Sequence, residues 1–269
     1  MLTDNCIIRL YNLVMNRKSN YKLLFLEGTR EYIARELLEK YPKADIVKQD
    51  SSSLKFNTDI SDIEEFRNLL SPVGIINEKE ERLDLSKREW RVKYVSAGIN
   101  PSLAYIMCMI GQLREQDIVY DPFCGASTLP ITALEEFNVK RVICSDIKGS
   151  AIEKSKENFK EANIDIDRYM IFKSGVRDVK LNKRNVDVFL SNLPFGIRVG
   201  THDENIQAYI GLEVCAKRIL RKKGKLILLT QEKKLLREVF KKEQWRVKSV
   251  LRVNEGGLLP EVFDIRKRG

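Results

Sequence analysis

Ile118-Val119-Tyr120-Asp121-Pro122-Phe123-Cys124-Gly125-Ala126-Ser127-Thr128 is the stretch whose reading decides the fold. It is a short apolar run, an acid, and a turn of small residues. An apolar run of this length bounded by turn residues reads as a buried strand, and small residues let the following backbone approach a ligand closely. The pattern recurs downstream. Strands are expected at Arg141 to Ser145, Arg168 to Lys173, Val186 to Ser191 and Lys225 to Thr230, alternating with helices. Such alternation builds a doubly wound, mostly parallel sheet. Upstream, Ser102 is expected to cap an apolar helix, Leu103 to Leu113. Beyond a helix at Glu232 to Glu243, the runs Trp245 to Val253 and Val262 to Arg266 flank Glu255-Gly256-Gly257. That hairpin signal implies one antiparallel strand at the sheet edge.

Residues 1–77 follow a different order: strand, helix, strand, strand, helix, strand. Lys22 to Leu26 is apolar, Thr29 caps a helix carrying Tyr32, Ile33, Leu37, Leu38 and Tyr41 at helical spacing, and Pro42 ends it. Ala44 to Lys48 and Leu54 to Phe56 read as strands across a turn-rich break. Ser61-Asp62-Ile63-Glu64 is a capping box for a helix through Phe66, Leu69 and Leu70, and Val73 to Ile76 closes as a strand. That order is the split βαβ of a ferredoxin-like unit, with room for an extra strand around Ile7 to Tyr11. Residues 78–99, dense in charge and poor in periodicity, read as a linker, leaving 100–269 as the larger domain. Within the linker Arg82, Lys87, Arg88, Arg91 and Lys93 could touch phosphate or be solvated surface.

The composition narrows the chemistry. Five scattered cysteines without a Cys-x-x-Cys pair, and a single histidine, His202, speak against a zinc site, a disulfide framework or a histidine triad, so no metal is expected. No apolar run is long enough to span a bilayer and Met1 to Leu10 is not a leader, so the expectation is a soluble, cytoplasmic protein with no membrane partner. The net charge of +10 comes from 48 Lys+Arg against 38 Asp+Glu. The surplus lies between Glu213 and Arg252, with 14 basic and 4 acidic residues. Such a stripe suits a polyanion, and equally a solvated helix face or the Lys/Glu-rich surface of a thermophilic protein.

In a doubly wound sheet, ligands bind beyond the carboxyl ends of the strands where the strand order reverses. The loop after Asp121 lacks Gly-x-Gly-x-x-Gly, so it poorly serves a dinucleotide pyrophosphate, while amides at the next helix start can meet a carboxylate. Asp146 stands where an acid accepts ribose hydroxyls, or caps the helix that begins near Lys148. The third loop is Ser191-Asn192-Leu193-Pro194-Phe195-Gly196. Cys124 is best explained by small size. His202 caps the next helix or contacts RNA, and Arg198 holds a phosphate or pairs with Asp203 or Glu204.

Asn192-Leu193-Pro194-Phe195 is similar to the Asn-Pro-Pro-Tyr type motif of class I methyltransferases acting on exocyclic amines. The longer run Asn192-Leu193-Pro194-Phe195-Gly196-Ile197-Arg198-Val199-Gly200, taken with Asp121-Pro122-Phe123-Cys124-Gly125, resembles the RNA guanine-N2 methyltransferases, including archaeal and bacterial tRNA enzymes. The resemblance spans about Asn100 to Gly269. Asn100-Pro101-Ser102-Leu103 fits the family's entry helix, and the N-terminal unit resembles the one these enzymes carry. It implies an α/β fold, a Rossmann-like seven-stranded methyltransferase sheet with a small ferredoxin-like α+β domain before it. It also implies S-adenosyl-L-methionine as cofactor, held by Ser102, Asp121, Phe123, Gly125, Ser127, Thr128, Asp146, Ile147, Val176 and Asn192. Asn192, Leu193, Pro194 and Phe195 become the catalytic turn, the reaction direct in-line transfer forming N2-methylguanosine, and the partner RNA, with tRNA the expected species.

Two departures stand out. Gly175, in Ser174-Gly175-Val176-Arg177-Asp178, sits where the family's acid accepts from the adenine amine, so Asp178 or the Val176 backbone must serve. The tRNA enzymes also carry a THUMP domain, for which there is no room between Ile76 and Asn100, so a protein or RNA-binding partner is expected to supply that grip. The sequence leaves the oligomeric state open. Rival readings are a DNA adenine or protein-amide N-methyltransferase of the same fold, and a non-catalytic RNA-binding relative.

Overall fold

The computed structural model describes residues 18–195, 202–241 and 243–268, and the chain divides into two compact units, Met1–Ser86 and Lys87–Gly269. The first unit runs β1 (Ser19–Leu24), α1 (Arg30–Lys40), β2 (Asp45–Gln49), β3 (Ser53–Thr58), a 3-10 turn (Ile63–Phe66), β4 (Gly74–Asn77) and β5 (Arg82–Asp84). Its sheet has the order β2-β3-β1-β4-β5 with every pairing antiparallel. Alternation along β1 turns Tyr21 and Leu23 inward, where they meet Leu54, Phe56 and Ile75 and the Ile33 and Leu37 face of α1. Phe66 caps this core, its ring 4.8 Å from that of Tyr21 and 5.5 Å from that of Phe56.

Three local expectations need correction. Thr29 stands at the N-terminus of α1 without capping it, because its hydroxyl donates back to the Leu26 carbonyl at 2.6 Å. The helix expected from Ser61 is only the 3-10 turn, started by Asp62, which accepts from the Glu64 amide at 2.9 Å, while the Glu64 carboxylate pairs with Arg67. Longer helix is denied there because the amides of Leu70 and Ser71 donate to buried Glu36 of α1, at 2.9 and 2.8 Å. The expected linker 78–99 contains β5, paired with β4. The strand considered at Ile7 to Tyr11 lies outside the described residues.

The second unit holds α2 (Pro101–Gly111), β6 (Ile118–Asp121), α3 (Thr128–Phe137), β7 (Arg141–Asp146), α4 (Gly149–Glu161), β8 (Tyr169–Lys173), β9 (Val186–Asn192), α5 (His202–Ile219), β10 (Leu220–Thr230), α6 (Lys233–Val239), β11 (Trp245–Arg252) and β12 (Glu261–Lys267). The seven strands lie in the order β11-β12-β10-β9-β6-β7-β8. Strands β8, β7, β6, β9 and β10 pair in parallel, and the order reverses between β6 and β9.

The antiparallel strand is β12, and it sits one place in from the edge, between β10 and β11. Burial explains the placement. Val262, Phe263 and Ile265 of β12 are wholly buried, whereas β11 exposes Arg246, Lys248 and Arg252, charges that suit an unpaired edge. Helix α2 starts two residues earlier than expected: Asn100 is the cap, accepting from the Ser102 amide at 2.8 Å, and Pro101 takes the first helical position, where no amide partner is needed. Of the 14 basic residues between Glu213 and Arg252, 12 are spread over α5, β10, α6 and β11 instead of forming one helix face. Several meet local acids, Lys217 with Glu213, Arg221 with Asp187, and Lys233 and Arg237 with Glu261. No helix of the described residues is long and apolar enough to cross a membrane.

Residues 87–99 belong to this second unit as a strap along α4 and the loop after β6. Asn158, wholly buried on α4, fastens it. The Asn158 Oδ1 accepts from the Lys93 amide at 2.9 Å, and its Nδ2 donates to the carbonyls of Lys93 at 3.0 Å and Ala126 at 2.9 Å. Replacing Asn158 with Leu keeps the volume and orphans those three backbone groups. Unpaired buried groups cost about 1–3 kcal/mol each, so roughly 3 kcal/mol of stability is expected to be lost on chemical denaturation. A loss below about 0.5 kcal/mol, the level of a neutral surface change, would show that the strap is not held this way.

Candidate active site

The carboxyl ends of β6 and β9 lie side by side at the reversal point. Asp121 closes β6, 2 % exposed, and its Oδ1 accepts from the Ser191 hydroxyl of β9 at 2.5 Å and from the Phe123 amide at 3.0 Å. Burial pushes its carboxyl up to about 7, against the opposing effect of those two donors, and the nearby Asp146 adds to the rise. Around this pair opens a cavity of about 890 Å³. Its volume suits a nucleoside-sized ligand with room for a second reactant.

One wall is the loop from Asp121 to Thr128. Gly125 is in the left-handed region at φ 54°, and a Cβ there would come 3.1 Å from the Val95 side chain, so the strap and this loop pack too closely for a side chain. The Gly125 amide donates to Asp146 Oδ2 at 3.0 Å, and the Lys148 amide to Asp146 Oδ1 at 2.9 Å. Asp146 thus ties the residue before α4 to the neighbouring loop, with both oxygens pinned and still able to accept from a diol. Ile147, 69 % exposed, is an apolar face at the cavity's edge. Opposite lie Gly175, buried Val176 and Asp178. A Cβ on Gly175 would come 3.2 Å from Asp178 Oδ2, so the Asp178 carboxylate reaches back to where a side chain at 175 would begin.

The other side is the turn after β9. Asn192 Nδ2 donates to the Ala97 carbonyl of the strap at 3.1 Å, which fixes the orientation of the side-chain amide. Its Oδ1 is buried and has no hydrogen-bond partner among the described residues. An orphaned acceptor inside a ligand-sized cavity is a costly feature unless a ligand supplies the donor. Leu193 and Pro194 also line the cavity, and the Leu193 amide is tied to the Leu229 carbonyl at 3.0 Å.

The structure gathers Asp121, Phe123, Gly125, Thr128, Asp146, Ile147, Val176, Asn192, Leu193 and Pro194 around this one cavity. Ser102 and Ser127 are not part of its lining: Ser102 is buried in the first turn of α2, and the Ser127 hydroxyl bonds Ser155 of α4. Phe195 is half-buried and likewise outside the lining. Gly196 to Gly200, with Arg198, lie outside the described residues. His202 is the first residue of α5, its Nδ1 3.1 Å from Glu232 Oε1. The hydrogen bond with Cys144, together with burial, pushes the Cys124 thiol well above its ordinary range, as befits a small packing residue.

Sequence reasoning missed the strap residues Val95 to Ile99, the clamp Asn158, and Asn205 of α5. Asn205 lines the cavity 1 % exposed, with an unpartnered Nδ2. A signal was present for the clamp: Ser155 and Asn158 are polar residues on the α4 stripe of Ala151, Ile152 and Phe159, where only partnered polar groups are tolerated.

Comparisons with known proteins follow the same lines. The family described as UPF0020, RMKL-like, methyltransferase domain, matches residues 88–261. A tRNA (guanine(6)-N2)-methyltransferase of Methanocaldococcus jannaschii is 24% identical over 217 residues, covering 66% of this chain and 56% of that protein. The U6 snRNA (guanine-N(2))-methyltransferase THUMPD2 of Mus musculus is 27% identical over 172 residues, covering 63% of this chain and 31% of that protein. The chain thus spans about half or less of the length of these relatives. Among solved structures, TrmN from Thermus thermophilus superposes with a TM-score of 0.80 at 15% identity, covering 93% of this chain and all of that one. SMU.472, solved with SAH, superposes at 0.76 and 14% identity, covering 95% and 100% of the two chains. These structures share the fold.

The raised Asp121 carboxyl has a measurable consequence. A group protonated in the folded state at a pH where the unfolded chain has ionised loses stability as pH rises from about 4, the unfolded value, towards 7. The stability of the parent relative to Asp121→Asn is therefore expected to fall across that window and to level off above it, measured by denaturation at a series of pH values without ligand. A flat difference would mean that Asp121 ionises normally.

Proposed function

The chain belongs to the RMKL-like methyltransferase domain family, UPF0020, and we propose on that footing that it uses S-adenosyl-L-methionine to methylate the exocyclic N2 amine of a guanine in RNA, with tRNA the expected substrate. The observation that carries this reading is the buried, unpartnered Oδ1 of Asn192 at the mouth of β9. The relatives named for guanine-N2 methylation of tRNA and U6 snRNA support the choice of base and of RNA.

The residues fit the cofactor. Asp146 offers lone pairs to a ribose diol, Ile147 and Val176 flank the place of a flat base, and Asp178, reaching back past Gly175, supplies an acceptor for an adenine amine. Small residues of the loop 121–128 leave room for the methionyl end. When bound, S-adenosyl-L-methionine supplies an electrophilic methyl group on a sulfonium.

What this chain contributes is aim. The lone pair of a guanine amine is conjugated into the ring, which makes it a poor nucleophile. Asn192 Oδ1 accepts one N–H and the Leu193 carbonyl the other, which favours a pyramidal nitrogen with its lone pair free. The Ala97 carbonyl keeps the Asn192 amide from flipping, since only Nδ2 can donate to it. Pro194 stiffens the turn and brings no competing donor. Phe195 offers a face against which a base taken out of its stack can rest. Asn192 cannot act as a base, so the proton leaves the methylated amine to water.

Incubating unmodified total RNA with labelled cofactor, followed by nucleoside analysis, is expected to yield labelled N2-methylguanosine. Asn192→Ala is expected to lower the rate by about 10²-fold or more, the usual scale for losing one preorganised polar group at the reacting centre, with cofactor affinity by calorimetry little changed. Label appearing in DNA or protein and not in RNA would refute the substrate assignment. No cofactor binding at millimolar concentration would leave only a non-catalytic RNA-binding role.

A further inference from the structure

Helix α5 places Tyr209 beneath the turn that follows β9. Its ring is wholly buried, and its hydroxyl lies 3.0 Å from the Pro194 carbonyl and 2.6 Å from the Thr230 hydroxyl. Thr230 closes β10, also wholly buried, and its Oγ1 accepts from the Glu232 amide at 2.9 Å. Donor and acceptor types fix the direction of this chain. A backbone carbonyl only accepts and a backbone amide only donates, so the Tyr209 hydroxyl gives its proton to Pro194 and receives that of Thr230. The relay runs Glu232 N–H to Thr230, Thr230 to Tyr209, and Tyr209 to the Pro194 carbonyl. Burial raises the Tyr209 phenol further above its ordinary range, so it stays a donor throughout the physiological range.

Position gives the relay a purpose. A proline has no amide hydrogen, so its carbonyl is the one backbone group by which Pro194 can be hydrogen-bonded. On the other side, the Leu193 amide is held by the Leu229 carbonyl. The peptide carrying the Leu193 carbonyl therefore lies between two tethers, one from β10 and one from Tyr209. We propose that Tyr209 is a positioning residue that, through Pro194, sets the direction of the Leu193 carbonyl towards the methyl acceptor. The inference rests on the reading of the turn given above. A phenylalanine would fill the same core space, so the hydroxyl is present for the carbonyl of this turn.

The test compares Tyr209→Phe, Thr230→Val and Thr230→Ser with the parent in the RNA methylation assay, with cofactor affinity by calorimetry alongside. Tyr209→Phe is expected to lower kcat roughly tenfold or more while the KM for RNA and the cofactor affinity stay within about twofold, since orientation and not binding is lost. Thr230→Val is expected to lower kcat to a lesser degree, and Thr230→Ser, which restores the hydroxyl, to recover it. If Tyr209→Phe does not fold, the Val and Ser pair decides the matter. A Tyr209→Phe kcat within about twofold of the parent overturns the proposal, as does a kcat loss matched by an equal loss of cofactor affinity, the mark of general packing. A parent that forms no methylated guanosine overturns the reading of the turn itself and the proposal with it, whereas an active parent with an indifferent variant overturns the proposal alone.

Discussion

The hydrogen bond from the Ser191 hydroxyl to the Asp121 carboxyl, 2.5 Å long and out of reach of water, joins the carboxyl ends of the two central strands. Strands β6 and β9 are neighbours because the strand order reverses between them, and the crevice such a reversal leaves is where an open parallel sheet can admit a ligand. Everything at the site is referenced to this seam. The loop holding Asp146 hangs from β6 through the amides of residues 123 to 125, and the turn bearing Asn192 is the direct continuation of β9.

Buried polar groups tie the elements of this unit together. Asn158 meets three backbone groups of the strap and the loop, and Tyr209 joins one strand end to another through hydroxyls. At the cavity, Asn192 Oδ1 and Asn205 Nδ2 are an acceptor and a donor without a partner among the described residues. A ligand that brings a donor and an acceptor resolves both, and a nucleobase edge does so.

Gly175 and Asp178 share one wall of the cavity. Removing a side chain there makes space, and the Asp178 carboxylate extends back into it across the bend that links the Asp178 amide to the Gly175 carbonyl at 3.0 Å.

Residues 118–128, 141–148 and 186–195 by themselves determined the α/β class, these strands and the three loops of the site, because a parallel strand buried on both faces must be a short apolar run and its loop must begin where the run ends. Charge content hid the strap: Glu89, Arg91 and Lys93 read as solvated linker, although backbone bonds to Asn158 and a packing contact on Gly125 decide their place. The same blindness applies to Ser102 and Ser127, whose neighbours turn their groups inward, and to β12, whose insertion beside β10 depends on which of two hairpin strands buries more completely. Tyr209 is wholly buried, and the Pro194 carbonyl that its hydroxyl meets lies 15 residues away. Local patterns reveal which residues leave water. Only the assembled sheet decides which distant polar atoms they then meet, because hydrogen-bond partners are set by three-dimensional proximity that periodicity does not encode.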